Sequence, residues 1–404
     1  MKTTTTKKKV LFFIPTFPVL TETFIEREVL KLVERGNIDI EVLSMDGDRD
    51  KLNENLKDIV YYKRLNFLNI IPVPIFIFKN FKKFLYVFKK LKNKNTSVIT
   101  LLYKIIKSCG YALIIKKHEP DLILAHFLSE PSTIGLISSI MLNIPFVISA
   151  HARDVTVSAE YVREKIEHSK FILVCNKNAR DKIISLNYNV ENEKVILQYH
   201  GVEVKKLQEV KAKEREDKNI PLIVSIGRLV EKKGHEYLIE ASSILKKRGI
   251  NHLIYIIGPG PLYDNLNKKI ESLDISSSVE ILGEGKGLPF SDAISILKSA
   301  DLCVFSGIKT KEGDEDGIPN VIVEAAAMNI PIVASDAGSV SELVTNEDTG
   351  ILVRSRDAYM LADAIERQIF NRKEAEIMSS NAYKKVSMIL DMDKNIIELE
   401  NKLL

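Results

Sequence analysis

Short apolar runs alternate with segments of helical apolar spacing along almost the whole chain, and this alternation constrains the fold more than any other feature. Parallel strands are buried on both faces and must return through crossovers, so the pattern predicts parallel sheets covered by helices. The first series of strands is predicted at Val10–Ile14, Ile38–Leu43, Asp121–Ala125, Phe146–Ser149, Phe171–Val174 and Val195–Leu197, with helices such as Phe24–Arg35 and Thr133–Leu142 between them. A polar stretch, VKKLQEVKAKEREDKN at 204–219, then reads as a linker. A second series comes at Leu222–Ile226, Leu253–Ile257, Val279–Leu282, Leu302–Phe305 and Pro331–Ala334, and from Asp357 the pattern is mostly helical. The reading is α/β: two tandem doubly wound domains facing a cleft, at 1–203 and 220–380. A helical segment, 381–404, is expected to pack back on the first. A chain of 404 residues suits two such domains. Ligands of doubly wound sheets lie beyond the carboxyl ends of the strands, so the cleft is where a site is expected.

Composition excludes several classes. An apolar fraction of 45% with 28% charged residues argues against wholesale disorder. Cys109, Cys175 and Cys303 are odd in number and far apart, giving neither a disulfide framework nor a Cys/His metal spacing. A spanning helix needs about 20 apolar residues. The run weighed for that role, Ile70–Phe78, is short and holds Pro72 and Pro74, and the basic N-terminus has no leader-like apolar core behind it. A cytoplasmic chain is expected.

The net charge of +4 hides an asymmetry, for no acidic residue lies between Asp58 and Glu119. Thirteen basic residues fall in that window, including Lys82, Lys83, Lys89 and Lys90 within FIFKNFKKFLYVFKKLK at 76–92. If helical, Phe81, Phe84, Leu85 and Phe88 share one face with lysines beside or opposite it. An interfacial helix drawn to an anionic membrane surface has this composition; a core-packed helix with a solvated lysine face is the competing reading. Nucleic acid is not an expected partner, since no nucleic-acid-binding motif accompanies the window.

Several segments place polar groups just after strands. GRLVEKKGHEYL puts Arg228 and Lys233 in the turn before a helix, which suits a diphosphate. Gly258 opens a glycine turn, and Gly283, Gly285 and Gly287 form another. The third glycine of a dinucleotide fingerprint is missing from both, with Tyr263 and Leu288 in its place, so a nicotinamide cofactor is not expected. The segment DEDGIPNVIVEAAAM, 314–328, is the most informative. Pro319 suits the first position of a helix that is apolar all round except for Glu324. A buried carboxylate needs a hydrogen-bonding or charged partner, so Glu324 is a functional candidate unless it faces solvent. Asp316 lies in the loop before it. His151 and Asp154, in SAHARDV, come just after a strand, and His126 and His200 occupy similar positions.

Taken together, GRLVEKKG, GPGPL and DGIPNVIVEAAAMNIPIVASDAGSVSELV resemble the family 4 retaining glycosyltransferases, which have the two-Rossmann-domain GT-B architecture. FPVLTETFIERE, AHFLSEPST and SAHARDV are similar to the subgroup that builds exopolysaccharides of the colanic acid and amylovoran type. The resemblance runs from the first strand past Leu352. It implies that Arg228 and Lys233 hold the diphosphate of a nucleotide-sugar donor. Glu324 matches the second acid of the family's E-x7-E pattern and would bind the nucleotide ribose, while Asp316 replaces the first, sugar-contacting acid. Amides around Gly317, Ile318 and Asn320 would bind sugar hydroxyls, Gly258 and Gly283 would line the donor, and His151 would lie near the anomeric centre. Thr21, Glu22, His126 and Asp154 would be on the acceptor side.

The sequence departs from the family in two places at the donor turns: Asp316 is shorter than the usual Glu by one methylene, and Pro259 stands where an acid is common. The implied reaction is transfer of a sugar to a hydroxyl of a lipid-linked or polysaccharide acceptor at the inner face of the cell membrane, without cofactor. A metal is not expected, although Asp314 and Asp316 leave that point open. A sugar-nucleotide epimerase of the same fold and a non-catalytic nucleotide-binding membrane scaffold are the competing readings.

Overall fold

The computed structural model describes residues 7–19, 23–93, 96–151, 155, 160–186 and 192–404. The chain divides into two compact units, Met1–His200 with Asp393–Leu404, and Gly201–Met392.

The first unit is built on a seven-stranded sheet in the order β3-β2-β1-β4-β5-β6-β7. Its strands are β1 (Lys9–Thr16), β2 (Asp39–Asp46), β3 (Val60–Tyr62), β4 (Leu122–His126), β5 (Phe146–Ala150), β6 (Ile172–Val174) and β7 (Val195–Leu197). All pairings are parallel. Alternation along β1 sends Leu11 and Phe13 into one buried cluster and Val10, Phe12 and Ile14 into the other, so both faces are covered. Ile396, Leu399 and Leu403 of the last helix join the second cluster. There Glu400, buried, accepts hydrogen bonds from Arg35 Nε at 2.9 Å and Asn37 at 3.1 Å.

The second unit repeats the order in six parallel strands, β10-β9-β8-β11-β12-β13. These are β8 (Leu222–Ile226), β9 (Leu253–Ile257), β10 (Val279–Leu282), β11 (Leu302–Phe305), β12 (Ile332–Asp336) and β13 (Ile351–Arg354). In each sheet the order reverses beside the first strand, between β1 and β4 and between β8 and β11. Open α/β sheets bind ligands at these switch points.

The structure corrects the sequence reading in four places. The strands β3 and β13 were not anticipated; both are short edge strands paired on one side only, so neither carries a long apolar run. The stretch 204–219 is not a free linker. Val204 and Leu207 of the helix Val204–Glu209 are buried, the Gln208 amide donates to the Ala327 carbonyl, Lys213 N donates to Ser295 O at 3.0 Å, and Arg215 pairs with Asp301 at 2.7 Å. Gln208, Arg215 and the backbone at Lys213 are thus engaged by the rest of the second unit. Third, the helix Val98–His118 meets the length and apolarity of a membrane span, which Ile70–Phe78 does not. Half of that apolar window is buried, with Leu101, Ile105, Cys109, Ala112 and Ile115 in the core and the helix Glu130–Leu142 alongside.

The fourth concerns the basic window. The helix Phe81–Leu91 buries Val87 and Leu91 and half-buries Phe84 and Phe88, while Phe81, Leu85 and Tyr86 stay exposed. Lys83 donates to Met141 O at 3.0 Å and Lys90 pairs with Glu167 at 3.1 Å, so two of the four lysines are already engaged. Lys104 and Lys107 likewise pair with Glu160 and Glu130. The apolar surface left over is large: Phe67 is 78% exposed, Phe78 82%, and Leu68, Ile71, Ile75 and Ile99 are also exposed.

Candidate active site

In the second unit the chain leaves β8 at Gly227 and Arg228, makes a tight turn at Glu231–Lys233, and enters the helix His235–Lys247. Gly234 is required at the junction: its φ is +61°, and a Cβ there would sit 2.0 Å from the Ser306 carbonyl oxygen at the end of β11. That close approach brings the β8 turn onto the loop after β11, across the switch point. Arg228 is exposed, whereas Lys232 and Lys233 are nearly enclosed.

Enclosed ammonium groups need partners. Lys233 Nζ lies 2.6 Å from Asp316 Oδ2, and Lys232 Nζ lies 3.1 Å from Asp314 Oδ1 and 3.4 Å from Asp316 Oδ1. The side chains of Lys232, Lys233 and Asp316 are 10%, 15% and 14% exposed. Burial by itself would raise the Asp316 carboxyl, but the charges of Lys233 and Lys232 outweigh it and hold it below the ordinary carboxylate value. Lys233 also stands 5.4 Å from the Phe305 ring centre, a cation–π distance. The structure therefore joins two residues assigned separate parts of a ligand, Lys233 and Asp316, into one buried ion pair. It adds Lys232, which sequence reasoning passed over because adjacent lysines in a turn read as solvated.

Beyond the pair, the backbone of Asp316 and Gly317 is pinned under the loop after β12. Ser339 N donates to Gly317 O at 3.3 Å, and a Cβ on Gly338 would meet the Asp316 carbonyl at 1.8 Å. Pro319 caps the helix Asn320–Ala327 from outside rather than opening it. Asn320 is exposed at the helix start, where first-turn amides have no intrahelical acceptor. Glu324 does not face solvent: it is 4% exposed among Val321, Ile322, Val323, Ala325 and Ala326. Burial, and then the Glu324 charge, push the Cys303 thiol up.

The glycine turns have a packing cause. A Cβ on Gly258 would sit 2.0 Å from Gly227 O, and one on Gly283, at φ +83°, would sit 2.4 Å from Gly287 O. The group that approaches Gly258 is thus the neighbouring turn. Gly283 also lines a cavity of about 610 Å³ with Tyr263, Asn267, Lys286 and Gly287.

In the first unit the carboxyl ends of adjacent strands gather imidazoles. His126 ends β4, His151 comes directly after β5, Cys175 directly after β6, and His200 lies beyond β7. His126 and His151 stack at 5.7 Å between ring centres, and His151 and His200 at 5.2 Å. His200 Nδ1 is 3.1 Å from Glu28 Oε2, and its Nε2 is 3.3 Å from His151 Nδ1. Burial drives His126 down to about 4, and burial with the neighbouring His200 and His126 holds His151 well below the usual value. His200 goes the other way: burial opposes its charge, but Cys175 and Glu28 raise it to about 9. Cys175 carries no motif and is signalled only by its place after a strand, while Glu28 closes the segment FPVLTETFIERE on the first crossover helix without being singled out. Thr21, Glu22 and Asp154 lie outside the described residues.

Residues 206–385 match the family model described as glycosyl transferases group 1. The chain is 34% identical over 143 residues to a putative colanic acid biosynthesis glycosyltransferase of Escherichia coli, covering 35% of this chain and 34% of that one. It is 32% identical over 187 residues to the amylovoran biosynthesis glycosyltransferase of Erwinia amylovora, covering 46% of this chain and 44% of that one. It therefore spans between a third and a half of the length of these curated relatives. The crystal structure of Anabaena HepE in complex with UDP is similar over 98% of this chain and 99% of that one, with a TM-score of 0.73 at 18% identity. The fold is that of the GT-B glycosyltransferases, and residues 206–385 form a domain of the group 1 glycosyltransferase type.

Proposed function

We propose that this chain transfers a hexosyl group, with retention, from a nucleoside diphosphate sugar to a hydroxyl of a lipid-linked saccharide in cell-surface polysaccharide synthesis. The observation that carries the reading is the buried Lys232–Lys233–Asp316 group at the switch point of the second sheet. Two enclosed ammonium groups held by one carboxylate are a preformed site for a diphosphate, whose oxygens can take over the hydrogen bonds that Asp316 accepts. Asp316, released from Lys233, is then free to accept from a hydroxyl of the transferred sugar. Arg228, exposed beside the turn, adds a third cation for the departing diphosphate. The first-turn amides at Asn320 add the partial positive charge of a helix start. In this reading Glu324, enclosed in its helix, accepts from the ribose hydroxyls, and His151, held neutral, donates to or accepts from a sugar hydroxyl. The carboxylates of Asp314 and Asp316 are matched by lysines, so the reading routes no step through a metal.

Two further points support the reading. The relatives named for colanic acid and amylovoran biosynthesis point to a polysaccharide pathway, and HepE binds UDP. The exposed aromatic and aliphatic surface around Phe67, Phe78 and Phe81, flanked by exposed Lys82 and Lys89, suits an anionic membrane at the cytoplasmic face, where a lipid-linked acceptor presents its hydroxyl. The test is a thermal-shift comparison of UDP and GDP, and then product analysis with the matching sugar nucleotide and a lipid-linked acceptor. A ligand at 100 times its dissociation constant stabilises by about 2.7 kcal/mol. Failure of both nucleotides to stabilise the protein refutes the donor site. Nucleotide binding with no transfer to any acceptor leaves a binding protein in place of the enzyme.

A further inference from the structure

The first unit holds a cluster of which the sugar-transfer reading uses only His151. His151, Cys175 and His200 each direct one potential ligand atom into a common space, and the three atoms lie within 4.8 Å of one another. No single sequence motif joins them, because they come from the ends of three adjacent strands, β5, β6 and β7. The orientation of His200 is informative. Glu28 occupies its Nδ1 at 3.1 Å, which leaves Nε2 aimed at His151 Nδ1, 3.3 Å away. A carboxylate behind a ligating imidazole is the usual outer arrangement of a protein metal site, where it fixes the ring and raises its basicity.

The distances fit a tetrahedral ion. With bonds of about 2.0–2.1 Å to nitrogen and about 2.3 Å to sulfur, ligand atoms should be about 3.3 Å apart for two nitrogens and about 3.6 Å for nitrogen and sulfur. The two imidazole nitrogens already stand at the first of these separations. The thiol lies within 4.8 Å of both nitrogens, within reach of a side-chain rotation, and Cys175 is half-buried. A second, independent feature is His126, stacked on His151 and fully buried, with no hydrogen-bond partner for either ring nitrogen among the described residues. Buried imidazole nitrogens are normally satisfied, and a solvent molecule on a metal's fourth position would be such a partner.

We infer that His151, Cys175 and His200 form a binding site for one divalent transition ion of the zinc class, with Glu28 orienting His200 from behind. Two nitrogens and a thiolate select such an ion over magnesium or calcium, which prefer oxygen. The inference uses none of the residues assigned to the diphosphate or the ribose and shares His151 and His126 with the transfer reading, so binding can be measured without turnover.

The experiment is titration of the tag-free, metal-stripped full chain with Co²⁺, read by absorption, and then displacement with Zn²⁺. The expected result is saturation at one ion per chain with a thiolate-to-cobalt charge-transfer band and the intense visible bands of tetrahedral coordination. Cys175→Ser should abolish the charge-transfer band, whereas Cys109→Ser and Cys303→Ser, which alter buried thiols elsewhere, should keep it. Glu28→Gln should weaken Zn²⁺ binding in a chelator competition by about 10- to 100-fold. Circular dichroism melts of each variant establish that it is folded. Lack of saturable one-to-one Co²⁺ binding, or an unchanged spectrum in folded Cys175→Ser, overturns the inference.

Discussion

Replacing Asp316 by Asn removes the one carboxylate that both enclosed lysines share. At an effective dielectric of about 20, a contact of 2.6 Å such as Lys233–Asp316 represents about 6 kcal/mol of gross attraction, most of which offsets the dehydration of the two groups. Breaking such a pair from one side is costlier than its net worth, because the remaining charge stays buried; about 3–5 kcal/mol is usual. Lys232 keeps Asp314 at 3.1 Å and the site retains some exposure, so about 2–3 kcal/mol is the expected loss here. In a domain of roughly 150–250 residues that lowers the melting temperature by about 4–12 °C.

The asymmetry appears when a nucleoside diphosphate is added. In the wild type its phosphates must displace Asp316 from Lys233; in Asp316→Asn they meet an unpaired ammonium. Saturating UDP or GDP should therefore raise the melting temperature more in the variant than in the wild type, while turnover falls because the sugar loses its acceptor. The pH dependence carries a definite sign. The folded Asp316 carboxyl is held below its unfolded value, so its contribution is present above the ordinary carboxylate range near pH 4 and is lost as pH falls through the lower folded value. Wild type and Asp316→Asn should thus converge in stability in acid. Equal stability at pH 7, with an identical response to nucleotide, refutes the argument.

Arg228→Ala should change stability by less than about 0.5 kcal/mol, the side chain being exposed, and lower turnover by roughly 10- to 100-fold in a product assay. Lys233→Ala should lose turnover and stability together, since its ammonium is enclosed and paired; a chemical melt separates the two variants. Glu324→Gln keeps the side-chain volume and should weaken nucleoside diphosphate binding by about tenfold or more, read by calorimetry; unchanged affinity would place the ribose elsewhere. Sedimentation with anionic vesicles should show binding that falls with salt over the range where charges become screened within about 8–10 Å. Phe78→Ser with Phe81→Ser should reduce that binding at every salt concentration while leaving nucleotide affinity unchanged.

Much of this protein is legible in its sequence. Alternating runs located eleven strands, because a strand buried on both faces must be apolar along its length. The lone acid of VIVEAAAM marked Glu324 as enclosed, and the structure buries it because every face of that helix packs. Local physics also shows why the acid-free window leaves apolar side chains exposed: its short helices carry more of them than one core-facing stripe can bury. Tertiary structure alone decided the rest. The edge strands β3 and β13 exist only because a neighbour offers its hydrogen bonds. Lys232 and Lys233 became enclosed ions because the order β8-β11 brings the 228–234 turn against the loop after β11, some eighty residues on. His126, His151, Cys175 and His200 are scattered in sequence, but β4 to β7 lie side by side at a spacing of about 4.8 Å, so residues at the carboxyl end of one strand meet those at the end of its neighbour. Periodicity reports how each segment meets its core, whereas the charges and ligands that meet across a sheet depend on strand order, which is settled when the whole sheet forms.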